Sequence, residues 1–182
     1  SSHGLSTTIA WRMDEVSFYA LEGNISVSAQ AAAWAAGLLG FSSVAELTEC
    51  AATVADSGGV YFVPALVGLG APYWRDNAKA LFWGMSLGTT PAHVARATLE
   101  AIALQVRDVF SAMEADMGQR LAGLSVDGGP TSNRLLMQIQ ADLLDRPISR
   151  PVHPGLSAIG VAIMAGAAVG LWGYGGPERT RR

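Results

Sequence analysis

The chain has 182 residues, enough for one substantial core or two small ones. Half of those residues are hydrophobic, 15% are charged and the formal net charge is -3. This excludes a strongly electrostatic partner: no basic stripe could neutralise nucleic-acid phosphates, and no Lys/Arg cluster could hold an anionic membrane surface.

The polar opening, Ser1-Ser2-His3-Gly4, has neither the basic n-region nor the apolar h-region of a signal peptide, and it lacks an initiator Met. The expectation is a fragment of a longer chain. Residues 5–11 and 15–21 are β-rich runs separated by Arg12-Met13-Asp14, a hairpin-length break. The Ala-rich run 24–39 is helical by composition, with Gly40 placed to end it in the left-handed conformation. A second helix is expected over about 42–55, capped by Ser42 or Ser43. Ser57-Gly58-Gly59 breaks the chain before a short strand, Val60 to Val63, which Pro64 closes.

Residues 66–79 contain Gly68, Gly70, Pro72, Tyr73 and Trp74, so a structured loop pinned by its aromatics is expected. Ala80 to Met85 reads as a strand. A long helix over about 91–117 places Ala95, Leu99, Ile102, Val106, Val109 and Met113 on one apolar stripe. Leu121 to Val126 is a further strand, and Pro130 stands where the first residue of a helix reaching Leu144 would fall. A short strand near 148–150 leads through Pro151 and Pro154 to a last helix, about 156–171, which reads as buried rather than membrane-spanning. Strands alternating with helices in the second half make this an α/β chain. A first domain over 1–172 and an irregular tail over 173–182 are expected.

The segment with the most chemistry is strand–Asp127-Gly128-Gly129–Pro130-Thr131-Ser132-Asn133–helix. Two glycines at a strand's C-terminal end admit a ligand to the backbone, because no Cβ stands in the way. The next helix N-terminus offers unpaired N–H groups suited to phosphate, and Asn133 could present an amide. A plain strand-to-helix turn capped by Asp127 fits the same residues. The loop Gly68-Leu69-Gly70-Ala71-Pro72-Tyr73-Trp74 lacks the Lys-Ser/Thr ending of a Walker phosphate loop. The small-residue run Ser157 to Gly166 suits close packing against a backbone or a ring. His3, His93 and His153 do not combine with a Cys or carboxylate at metal-ligand spacing, and His93 suits a capping position. The single Cys50 excludes an internal disulfide, reads as a small hydrophobe and fits a reducing cytoplasm.

Taken together, these segments resemble the FGGY carbohydrate kinases, and glycerol kinases most. The resemblance rests on Tyr19-Ala20-Leu21-Glu22-Gly23, Val63-Pro64-Ala65, Gly68 to Trp74, and Val126-Asp127-Gly128-Gly129, in that order. It also rests on Ala80-x-Phe82-x-Gly84-Met85 followed by His93-Val94-x-x-Ala97-Thr98-Leu99-Glu100, and on Asn133 to Leu144. It covers Leu5 to Trp172. The resemblance implies a ribonuclease-H-like, actin-type ATPase domain, a mixed sheet flanked by helices and lacking its first strand. It further implies ATP with Mg2+ as cofactors and a small polyol or sugar as acceptor, held by an absent N-terminal domain that also carries the catalytic base.

By motif, Asp127, Gly128, Gly129 and Asn133 would form the nucleotide wall, joined by Ala29 and Ala33 on the first helix. Ala29 and Ala33 replace the Gly and Gln usual in these kinases, and Ala33 cannot supply an amide hydrogen bond. Arg75 and Lys79-Ala80 are further departures from the family pattern. A non-catalytic binding module and a kinase for another sugar are the alternatives, and a homo-oligomer is left open.

Overall fold

The computed structural model describes residues 1–13, 15–151 and 155–173. Asp14, His153, Pro154 and nearly all of the expected tail lie outside them. Strands β1 (Ser6–Met13) and β2 (Val16–Glu22) form the expected antiparallel hairpin, with an irregularity between Ile9 and Trp11 that sets Trp11 against Phe18, their rings stacked at 5.2 Å. Helix α1 (Ala29–Leu39) starts five residues later than composition predicts. The preceding stretch is tied elsewhere: Asn24 O accepts from Ala71 N at 2.9 Å, and Val27 O accepts from Gln105 Nε2 at 2.8 Å. Gly40 ends the helix at φ +79°.

Helix α2 (Val44–Ala51) is capped by Ser43, whose Oγ accepts from Glu46 N. Glu46 reaches back, its carboxylate accepting from both Ser42 N and Ser42 Oγ at 2.8 Å. These bonds hold the Glu46 carboxyl below the usual carboxylate range. A depressed folded-state pKa gives stability that is present above the unfolded value, about 4.3, and is lost as pH falls through the folded one. Glu46→Gln is expected to flatten that part of the acid limb in a thermal-melt series against pH; an unchanged limb would contradict this.

Strands β3 (Tyr61–Val63) and β4 (Leu81–Trp83) pair antiparallel, with Phe62 and Phe82 stacked at 4.2 Å. The loop between them is pinned by its aromatics as expected. Tyr73 Oη donates to Asp108 Oδ2 at 2.9 Å and Trp74 Nε1 donates to Gly4 O at 2.7 Å. Burial, and next the Asp108 carboxylate, push the Tyr73 phenol upward. Gly70 is required here, since a Cβ would lie 2.2 Å from Asn24 O.

The 27-residue helix α3 (Pro91–Met117) organises the rest. His93 Nδ1 accepts from Thr90 N at 3.1 Å, the capping role expected of it. The buried face is wider than the predicted stripe: Ala97, Thr98, Ala101, Ala103, Phe110 and Ala112 join Ala95, Leu99, Ile102 and Val109. The reason is position, since α1, α2, β3 and α4 all pack against this one helix. Alanines at 0% exposure on both partners, Ala31 and Ala35 of α1 and Ala95 and Ala103 of α3, allow the close approach. Buried polar groups are satisfied: Thr98 Oγ1 donates to Val94 O, and Gln140 Nε2 to Ala103 O.

Strand β5 (Leu124–Ser125) pairs in parallel with β6 (Ile148–Ser149). Between them lie a 3-10 turn, Gly129–Ser132, and helix α4 (Arg134–Leu144). Pro130 therefore opens the 3-10 turn and not α4, because Asn133 interrupts with extended backbone and restarts the helix as its cap. The final helix is α5 (Leu156–Ala168).

The chain is mixed α/β as expected, with three two-stranded sheets flanked by helices: among the described residues β1 bonds only to β2, β3 to β4 and β5 to β6. One expectation needs correction. Helix α5 is not buried: Gly166 is its one buried residue. Apolar composition buries a helix only where a second surface meets it, and α5 meets mainly its own C-terminal extension. There the small-residue expectation holds, for the Trp172 ring lies on Gly166 and its Nε1 donates to Ile163 O at 2.9 Å. No single helix among the described residues is long and apolar enough to cross a membrane; α1 and α2 qualify by composition only as a pair bent by 83°.

Candidate functional site

Helices α1, α2, α3 and α4 leave one cavity of about 700 Å³ between them, open to solvent on one side. Its floor is core: Leu99 and Ile102 of α3 and Leu136 of α4, each at most 4% exposed. Ala29 and Ala32 of α1 form one wall, and Val44, Ala45, Thr48 and Glu49 of α2 form another. The rim is the turn before α4, with Gly129, Pro130, Ser132, Asn133 and Arg134. An apolar slot with a few polar groups at its mouth is the usual form of a small-molecule site.

The turn is held from several sides. Val126 N donates to Ser149 O at 2.9 Å, fixing the end of β5 on β6. Thr131 Oγ1 donates to Gly128 O and Ser132 Oγ to Gly129 O, so both hydroxyls are engaged within the turn. Arg150 Nη1 donates to Thr131 O at 3.1 Å. Gly128 sits at φ +96° and ψ 175°, a region in practice reserved for glycine. A Cβ on Gly129 would meet nothing within 4 Å, so that position faces open space.

Asn133 joins two walls. Its Oδ1 accepts from Leu136 N at 3.0 Å, capping α4, while its Nδ2 donates to Thr48 Oγ1 at 2.8 Å. Thr48 Oγ1 in turn donates to Val44 O at 2.8 Å. The side chain is thus both the helix cap and a brace between α4 and α2. Capping falls to Asn133 rather than to Asp127, which is exposed.

Of the six residues singled out by sequence, Ala29, Gly129 and Asn133 converge on the cavity. Gly128 and Asp127 stand beside it in the same turn. Ala33, one turn along α1 from Ala29, is exposed and is not part of the lining. Sequence reading missed the α2 wall. The Thr48–Asn133 contact spans 85 positions, and nothing in the local pattern of either segment announces it.

Set beside known proteins, this arrangement has a family. The chain belongs to the FGGY family of carbohydrate kinases, whose C-terminal domain matches residues 1–169. A glycerol kinase of Dechloromonas aromatica (strain RCB) is 51% identical over 173 residues, covering 94% of this chain and 34% of that protein. An apulose kinase of Pectobacterium atrosepticum is 53% identical over 169 residues, covering 93% of this chain and 34% of that protein. The crystal structure of Plasmodium falciparum glycerol kinase with ADP matches with a TM-score of 0.86 at 34% identity, over 94% of this chain and 35% of that one. A gluconate kinase from Lactobacillus acidophilus shares the fold, with a TM-score of 0.79 at 22% identity over 93% of this chain and 34% of that one. The chain therefore spans about a third of the length of the relatives it matches.

Proposed function

We propose that this chain forms the adenine-nucleotide-binding wall of an ATP-dependent kinase that phosphorylates a hydroxyl of glycerol or a related polyol or sugar. The observation that carries the reading is convergence: Ala29, Gly129 and Asn133, from segments a hundred positions apart in order of magnitude, line one apolar cavity. The ADP-bound malarial glycerol kinase, which matches over nearly the whole chain, supports it.

The floor of Leu99, Ile102 and Leu136 suits a planar purine, whose burial removes apolar area from water. Ala29 leaves the α1 wall narrow enough for the ring to lie against it. Gly129, without a Cβ, lets ribose or phosphate approach the turn's backbone. Asp127 and Gly128 shape the turn, and Asn133 keeps α2 and α4 at a fixed spacing around the base. Ala33 lies one turn beyond this contact and brings no hydrogen bond of its own.

ATP supplies the transferable phosphoryl group, and Mg2+ travels with its phosphates and water. Among the described residues no group of three His, Cys, Asp or Glu is placed to hold a metal ion. The base that deprotonates the acceptor hydroxyl and the acceptor pocket belong to the remainder of a longer polypeptide, and the reaction takes place in the cytoplasm.

Calorimetric titration of this chain with ADP, beside a glycerol phosphorylation assay, tests the reading. The expected result is weak ADP binding with no turnover. Turnover of glycerol by the chain alone would overturn the assignment of the base, and indifference to ADP at millimolar concentration would overturn the assignment of the wall.

A further inference from the structure

The polar side chains that line the cavity are of two kinds. Asn133, Thr48 and Ser132 are engaged within the protein: Asn133 bonds Leu136 N and Thr48 Oγ1, Thr48 Oγ1 donates to Val44 O, and Ser132 Oγ donates to Gly129 O. Glu49 and Arg134 are not, for among the described residues neither makes a hydrogen bond or an ion pair. The sequence places Glu49 on the lining face of α2. Ala45, Glu49 and Ala52 follow one another at spacings of four and three residues, which stacks them on one side of the helix. The two alanines are too short to cover the carboxylate between them, and Glu49 is exposed at the open side of the cavity. Among the described residues it is the one acidic member of the lining.

A carboxylate accepts hydrogen bonds and gives none, whereas a guanidinium only gives them. Glu49 therefore calls for a donor on the ligand and repels phosphate. Arg134 stands with Gly129 on the turn, the side proposed above for ribose and phosphate, and its charge suits that end. The base is left to Glu49. We infer that Glu49 is a base-specificity residue: its carboxylate accepts from the exocyclic amine of adenine, and the pocket thereby selects a 6-amino over a 6-oxo purine nucleotide. This role rests on the cavity being an adenine-nucleotide site, and it adds which edge of the base is recognised. The floor of Leu99, Ile102 and Leu136 cannot make that choice, because an apolar surface scarcely tells an amine from a carbonyl. Glu49 can. A carbonyl oxygen set against the carboxylate leaves two acceptors facing each other without a donor.

Calorimetric titration of this chain with ADP, and separately with IDP, tests this, with thermal melting to confirm that each variant is folded. IDP carries a carbonyl where adenine has its amine. The wild-type chain is expected to bind ADP about tenfold or more tighter than IDP. Glu49→Gln supplies an amide that can accept from an amine or, turned over, donate to a carbonyl. Its preference should fall to about twofold or less, chiefly through tighter IDP binding. Glu49→Ala should lose about tenfold in ADP affinity and nothing in IDP affinity. A merely structural effect on α2 would weaken both nucleotides alike and leave the preference intact. Equal wild-type affinities, or a preference that survives both substitutions, would overturn the role of Glu49 and leave the pocket standing. Failure to bind either nucleotide would overturn the pocket and this role with it.

Discussion

Asn133→Ala is expected to destabilise the chain by about 2 kcal/mol and to lower its ADP affinity about tenfold. The first figure combines about 1 kcal/mol for the lost helix cap with about 1 kcal/mol for the lost bond to Thr48. For a chain of this size it corresponds to a fall in Tm of roughly 4–8 °C. The loss of affinity follows from geometry: without the brace, α2 is no longer tied to α4 across the cavity. Two further variants separate the roles. Asn133→Ser keeps a capping oxygen but cannot reach Thr48, so it should recover most of the stability and little of the affinity. Thr48→Val should couple with Asn133→Ala by about 1 kcal/mol in a double-mutant cycle read by thermal melting. Undiminished ADP affinity in Asn133→Ala, with additive stabilities, would remove Asn133 from the wall.

The two glycines of the turn should respond in opposite ways. Gly128→Ala carries a backbone cost of about 1–3 kcal/mol, because its φ of +96° with extended ψ is hostile to any side chain. No clash adds to this, since the nearest atom to a Cβ there is Pro130 Cδ at 3.9 Å. Gly129 lacks that strain and faces open space, so Gly129→Val should change stability by no more than about 0.5 kcal/mol. Its isopropyl group would instead occupy the rim of the cavity, and ADP binding should fall about tenfold or more. Thermal melting and calorimetry on the pair separate folding from binding. Destabilisation at Gly129 with binding unchanged would invert the proposed roles.

Local chemistry made much of the fold legible. Gly40, Ser43 and His93 mark helix ends because caps are written in a few neighbouring residues. The Asp127–Asn133 turn was legible from its Gly pair at a strand end, but the cap read at Asp127 is Asn133. What sequence could not give is what depends on distant partners. The Ala-rich periodicity of residues 24–39 hides the fact that 24–28 is held by Ala71 and Gln105 instead of joining α1. Pro130 looked like a helix start because the chain pattern does not reveal that Asn133 breaks the backbone between two helical segments. The apolar composition of α5 predicted burial, but composition cannot say whether a second surface is present. Of the cavity's lining, Ala29 was singled out by its place in a family pattern that usually has Gly there, whereas Thr48 was missed because its link to Asn133 is purely tertiary.

The central claim is that one adenine-nucleotide pocket lies between α1, α2 and the turn before α4. Amide chemical-shift mapping of this chain, titrated with ADP to millimolar concentration, tests it most directly because it detects weak binding residue by residue. The account predicts saturable shifts concentrated at Ala29, Thr48, Gly128, Gly129 and Asn133, with Ala33 and the β3–β4 ribbon nearly silent. Shifts centred elsewhere, or none at saturation, would contradict it.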